Sequence, residues 1–158
     1  MRKTFHQQLK DLQKDIVEMG SKSCEMIEES LQALIKRDKK LAEKVINDDD
    51  IVDKMELNIE SKCIELIATQ QPMAKDLRLI TTVLKIISDV ERIADYTVDI
   101  AKKAKKLAPY EPLKPYVDVP KMAKLTQDML KKSIISFNEL DIKLAKKVGK
   151  MDKEVDRL

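Results

Sequence analysis

The chain has 158 residues and a mass of 18.2 kDa, enough for one ordinary domain or two small ones. With 43% apolar and 37% charged residues but only 2 Gly, 3 Tyr, 2 Phe and no Trp, its composition is that of long amphipathic helices and argues against a sheet domain. The net charge of +3 is the balance of 31 basic and 28 acidic residues, which speaks for neither a nucleic-acid binder nor an acidic tail.

The N-terminus, MRKTFHQQLKDLQKD, lacks the apolar core of a signal peptide. No apolar run approaches the roughly 18 residues that a membrane span needs, so the chain is expected to stay in the cytoplasm where it is made. Phe5, Leu9, Leu12, Ile16, Met19, Ser23, Met26, Ser30 and Ala33 alternate by four and three. Ile27, Leu31 and Leu34 widen the stripe in its second half. This predicts a first helix of about 45 Å, a length suited to a bundle or coiled coil. Gly20 interrupts it only weakly, at a cost of about 1 kcal/mol relative to Ala.

Asp38, after Lys36 and Arg37, can close the first helix and cap the second. The second helix buries Leu41, Val45, Val52, Met55, Ile59, Cys63 and Leu66 and runs to ATQQP, where Pro72 forces a boundary. Cys24 and Cys63 fall within helical patterns and form neither a metal knuckle nor a disulfide framework; they read as buried or half-buried thiols. A third helix is predicted from Met73 or Ala74 to about Leu107, with Asp76 in its dipole-favoured first turn. Its terminal KKAKK, residues 102–106, suits a helix C-terminus or an anionic surface.

Pro109, Pro112, Pro115 and Pro120 make residues 109–120 a stiff connector, and helical pattern resumes at Lys121. A shift of 103 positions lays Met19 on Met122, Met26 on Met129, Leu34 on Phe137, Asp38 on Asp141 and Val52 on Val155. The chain therefore reads as a three-helix unit over 1–108 and, over 121–158, the first helix and the start of the second helix of another. The apolar faces after residue 121 then have no third helix to cover them. Either the chain is truncated within its second repeat or a second copy supplies the surface, which predicts a homodimer.

Two acidic rows stand out. Glu91, Asp95 and Asp99 follow one another by one turn near the edge of the third helix's stripe, and Asp49, Asp53 and Glu56 share a face of the second. Stacked carboxylates repel by a few tenths of a kcal/mol per pair. If the faces converge in a dry groove they must take up protons or recruit a cation. Oxygen-only ligation suits magnesium, manganese, ferric iron or calcium, and zinc stays open. The alternative is that the acids are solvated and paired with Lys54, Arg92, Lys102 and Lys103. Acyl-transfer and zinc-hydrolase constellations fail because His6 is the only histidine, and two glycines cannot form a phosphate-cradling loop. The residues do not describe an enzyme.

QQPMAKDLRLI at 70–80 and SDVERIADYTVDIAKKA at 88–104 resemble the PhoU family of accessory regulators of phosphate uptake. Gln71, Pro72, Asp76 and Arg78 match its helix-opening signature; Glu91, Arg92 and Asp95 match its acidic signature, with Ala94 where glycine is common. The resemblance implies an all-α fold of PhoU-like antiparallel three-helix bundle repeats, one complete and one partial. It implies a cluster of iron or zinc, ahead of manganese or magnesium, on Glu91, Asp95, Asp99, Asp49, Asp53 and Glu56. It further implies a cytoplasmic, non-enzymatic negative regulator of phosphate uptake and the phosphate regulon. Such a protein links the ATPase of a phosphate ABC transporter to a sensor kinase, reaches the membrane only through these partners and binds no nucleic acid. The competing readings are a metal-binding or metal-storing bundle and a purely structural coiled-coil subunit.

Overall fold

Apolar spacings of three and four wind the N-terminal segment into one uninterrupted helix, α1 (Arg2–Lys36). The structure is a computed structural model that describes residues 2–158, with side chains from Thr4 onward; Met1, the first residue of the expected three-helix unit, lies outside them. Four further helices follow: α2 (Lys39–Gln70), α3 (Lys75–Leu107), α4 (Asp118–Glu139) and α5 (Ile142–Val155). The fold is all-α, with α1, α2 and α3 packed as a complete three-helix bundle and α4 and α5 as a partial second repeat.

Asp38 and Asp141 do the same work in the two repeats. Each has extended backbone, and each accepts hydrogen bonds from two amides of the following helix: Lys40 and Leu41 in one case, Lys143 and Leu144 in the other. The residue before each cap, Arg37 (φ 57) and Leu140 (φ 54), is left-handed and turns the chain back. The amides of Asp38 and Asp141 then close onto Ala33 O at 3.0 Å and Ser136 O at 2.8 Å, positions also 103 apart. The sequence repeat is a repeat of corner geometry.

The onset of α4 differs from the sequence reading. It begins at Asp118, so Pro120 lies within its first turn and not in the connector. A first-turn amide has no intrahelical acceptor, so proline is harmless there, and Asp118 complements the dipole.

The core runs through α1–α3 as Leu12, Ile16, Met19, Met26, Val45, Val52, Ile59, Ile80, Val83 and Ile87, and Leu130 and Ile134 of α4 join it against α1. Gly20 lies at that junction, against Ile134. A β-carbon built there would stand 1.9 Å from Ile134 Cδ1. Nearby, Gln127 Nε2 donates to Cys24 O at 2.9 Å. Residues 24 and 127 are equivalent under the 103-residue shift, so the α1–α4 contact joins like positions of the two repeats.

Asp48 lies between Val45 and Val52 on the buried side of α2, at 8% exposure. Lys22 reaches it from α1 at 2.7 Å, and Lys44 bridges it at 3.1 Å to Glu29 at 2.5 Å. Burial works to raise the Asp48 carboxyl, but the hydrogen bonds from Lys22 and Lys44 outweigh it and hold the group below its ordinary range.

Two variants test these contacts by denaturation. Asp48→Ala leaves Lys22 without its closest partner and is expected to cost about 1–2 kcal/mol near neutral pH. Because the folded carboxyl is depressed, this difference is present above the ordinary carboxylate range and fades as pH falls through the folded value. Gly20→Leu gains up to about 1 kcal/mol of helix propensity yet overpacks the α1–α4 junction, for an expected net loss of about 1–2 kcal/mol. A Gly20→Leu chain as stable as the parent would show that the two helices need no close approach.

Candidate functional site

The bundle places the two acidic rows side by side. On α2, Asp49 and Glu56 are half-buried and Asp53 is exposed; on α3, Glu91 is half-buried while Asp95 and Asp99 are exposed. Desolvation first, then the charges of Asp95, Glu56, Asp53 and Asp49, raise the Glu91 carboxyl. Asp49 is raised likewise by desolvation and by Asp53 and Asp95, with Lys102 pulling the other way. Five of the six expected acids therefore act on one another across the α2–α3 seam. Asp99 stands one turn further along α3, three and four residues before Lys102 and Lys103.

The expected metal does not fit. Among the described residues, no group of three or more His, Cys, Asp or Glu side chains could hold a metal ion. The physical reason is the arrangement: two rows, each stepping by one helical turn of about 5–6 Å, spread their carboxylates along the seam without converging on a point. Glu56 is also engaged, its Oε1 accepting from Ser88 Oγ at 2.9 Å. The expectation of iron or zinc, and of manganese or magnesium behind them, on Glu91, Asp95, Asp99, Asp49, Asp53 and Glu56 is overturned, and the metal-storing reading falls with it. The seam is a strip of mutually repelling acids.

The helix-opening signature lies elsewhere. Gln71 ends α2 in left-handed backbone (φ 44), Pro72 follows, and Ala74 precedes α3 at φ 46, ψ −103, outside the regions where a residue with a β-carbon is comfortable. Two such residues in four store strain of about 1–3 kcal/mol each, held by the Asp76 amide donating to Met73 O and the Arg78 amide to Ala74 O, both at 3.1 Å. Gln71, Pro72 and Asp76 line an open groove of about 620 Å³ with Phe5, His6 and Met73. Arg78 is exposed on the first turns of α3. Arg92, some 20 Å along the helix, pairs with Asp89 at 2.6 Å and not with the acidic row. The signature residues are thus divided between a strained corner and the seam.

Neither cysteine is a reactive group. Burial pushes the Cys63 thiol up to about 11, and burial likewise raises Cys24 despite the charge of Lys131. Sequence reasoning missed Ser88, whose signal is its place one turn before Glu91 and Arg92. It also missed Asp48, which completes the 45–48–52 spacing of the α2 stripe and hides among the acids of NDDD.

Because Glu91 holds its proton more tightly folded than unfolded, the charged row lowers stability most above its raised folded value. That penalty disappears as pH falls below the ordinary carboxylate range. Glu91→Gln is expected to raise the melting temperature by about 1–3 °C near neutral pH in low salt, with the gain shrinking toward acid pH and in about 1 M salt. A melting temperature lowered by the change would mean that Glu91 is a net attractive partner in the row.

Known proteins share this framework. Residues 16–104 and 119–158 match the family profile described as the PhoU domain. The chain is 42% identical over 151 residues to the phosphate-specific transport system accessory protein PhoU homolog of Aquifex aeolicus, an alignment covering 96% of this chain and 68% of that protein. It is 39% identical over 158 residues to the homolog of Clostridium acetobutylicum, covering 99% and 72%. The backbone is similar to the crystal structure of PhoU from Pseudomonas aeruginosa, with a TM-score of 0.91 at 34% identity over 97% of this chain and 74% of that one. It is also similar to the phosphate transport system regulatory protein PhoU from Streptococcus pneumoniae, with a TM-score of 0.87 at 27% identity over 97% and 72%. Sequence identity running through both repeats and a common backbone course lead to one assignment: this chain belongs to the PhoU family.

Proposed function

We propose that this chain is a phosphate-dependent negative regulator of phosphate uptake and of the phosphate regulon, acting as an adaptor between the ATPase of a phosphate ABC transporter and a phosphate-response sensor kinase. Its family membership gives it a phosphate-regulatory, non-catalytic role. The observation that carries the adaptor reading is the family match through both repeats, joined to the shape that the repeats build. Helices of 35, 32 and 33 residues present long rigid faces, apt for protein contact. Among the described residues no helix is long and apolar enough to cross a membrane; the proposal places the protein in the cytoplasm, reaching the membrane where its partners are.

In this reading the acidic seam and the strained corner are contact sites for protein. Glu91, Asp95, Asp49, Asp53 and Glu56 offer a strip of negative charge that a cationic partner face relieves. Gln71, Pro72, Asp76 and Arg78 form a rigid end whose backbone is already fixed, so little further ordering is required on contact.

The test is complementation paired with capture. In a bacterium lacking its own member of the family, the chain is expected to restore repression of a phosphate-starvation reporter in high phosphate and to retain the transporter ATPase and the kinase from detergent extract. Glu91→Gln with Asp95→Asn is expected to weaken that retention about tenfold or more while leaving helicity unchanged. A folded chain that neither restores repression nor retains either partner would defeat the adaptor reading.

A further inference from the structure

We infer that the end of the bundle where α1 stops, α2 starts, α3 stops and the connector begins is a direct docking surface for an anionic lipid bilayer. Two five-residue runs meet there: KRDKK at 36–40 and KKAKK at 102–106, which together hold eight of the 31 basic residues and one acid. All eight basic side chains are exposed. Among the described residues only two of them are ion-paired, Lys105 with Glu43 at 2.8 Å and Arg37 with Glu111 at 3.7 Å. Lys39, Lys102, Lys105 and Lys106 line one groove of about 460 Å³ with Ile46.

Helix dipoles explain part of this charge. Lys36 and the pair Lys105 and Lys106 sit in last turns, where cations belong. Lys39 and Lys40 do not: they open α2, whose first turn holds no acid, so they lie at the positive end of its dipole. A chain that accepts this local conflict beside a second run of lysines is concentrating positive charge at one end.

The charge surrounds an apolar tip. Arg37 and Glu111 join the basic corner to the proline connector, where Leu113 is fully exposed and Tyr110 is 69% and Val117 58% exposed. With Leu107, Val119 and Leu158 these residues line an open groove of about 900 Å³. Pro109, Pro112 and Pro115 stiffen the segment, which reduces the ordering required on insertion. Anionic headgroups complement the lysines, the bilayer boundary takes the apolar tip, and lysine stems can bridge the two layers. A soluble anion would satisfy the charge and leave Leu113, Tyr110 and Val117 in water, which is why the occupant is a membrane surface. The contact is independent of the adaptor reading: it requires no protein partner.

Because the chain contains no tryptophan, Leu113→Trp supplies a single fluorescent reporter at an exposed position. Mixed with vesicles of phosphatidylcholine containing roughly a third phosphatidylglycerol, this variant is expected to shift its emission to the blue and to be quenched by brominated acyl chains. Neutral phosphatidylcholine vesicles should produce neither response. Adding Lys102→Gln, Lys103→Gln and Lys106→Gln to the reporter should weaken binding by roughly fivefold per lysine. In the parent chain, followed by co-sedimentation with the same vesicles, Leu113→Ser should weaken it severalfold. Far-UV dichroism checks that each variant remains helical, and raising salt on the reporter itself, without the lysine changes, should reverse binding. The inference is overturned by a reporter whose emission is unmoved on anionic vesicles in low salt. It is equally overturned if soluble polyphosphate binds as tightly as the vesicles do and Leu113→Ser leaves vesicle binding intact, since the basic end would then read free polyanions.

Discussion

One helix is shared by two packing units, and the rest of the architecture depends on it. α1 lies against α2 and α3 in the complete bundle and against α4 in the partial one, so it must be apolar or small around more of its circumference than an ordinary amphipathic helix. Its sequence meets this demand with a stripe that widens in the second half and with small residues at the tightest places. Gly20 admits Ile134. Ser23 and Ser30 are buried but return their hydroxyls to their own helix, donating to Met19 O at 3.0 Å and Ile27 O at 2.9 Å. Neither hydroxyl is therefore buried without a partner.

That arrangement determines where charge can go. Charge ties α1 to α2 at two places: Lys22 and Lys44 gather Asp48 and Glu29 beside the core, and Lys62 reaches Asp15 at 2.6 Å nearer the surface. The α2–α3 seam has no such third helix over it, and its acids remain partly solvated. Solvent screening keeps the cost of the row small: half-exposed carboxylates repel by tenths of a kcal/mol, not by the several kcal/mol that full burial would impose. The same openness is why the row is no chelate, since ligands that bind one ion must point at one place.

Much of this was legible in the sequence, for reasons that can be named. Periodicities of three and four specified α1, α2 and α3, and the paired Asp38 and Asp141 gave both corners because an N-cap is a local device that a single residue can announce. The onset of α4 was misplaced because four prolines read as a barrier, whereas the last of them occupies a first-turn position that tolerates proline. The seam could be found from spacing alone: i, i+4 and i+7 fix a face. Its chemistry could not, because convergence depends on the distance and rotation between two helices, which spacing along either one does not contain. Gly20 was read as a blemish in a helix for the same reason; its role is set by Ile134, 114 positions away.

A net charge of +3 conceals how the charge is distributed. Five acids act on one another along the α2–α3 seam and eight basic residues gather where α1 and α3 stop and α2 starts; the two zones meet where Lys102 acts on Asp49 against the pull of the neighbouring acids. The proposed contacts follow this division: a negative surface matches the KKAKK end and a positive partner face the flank. The two proposed contacts lie on different surfaces, an end and a side of the α1–α3 bundle. Charge matching leaves the apolar residues of whichever contact is made to set how long it lasts.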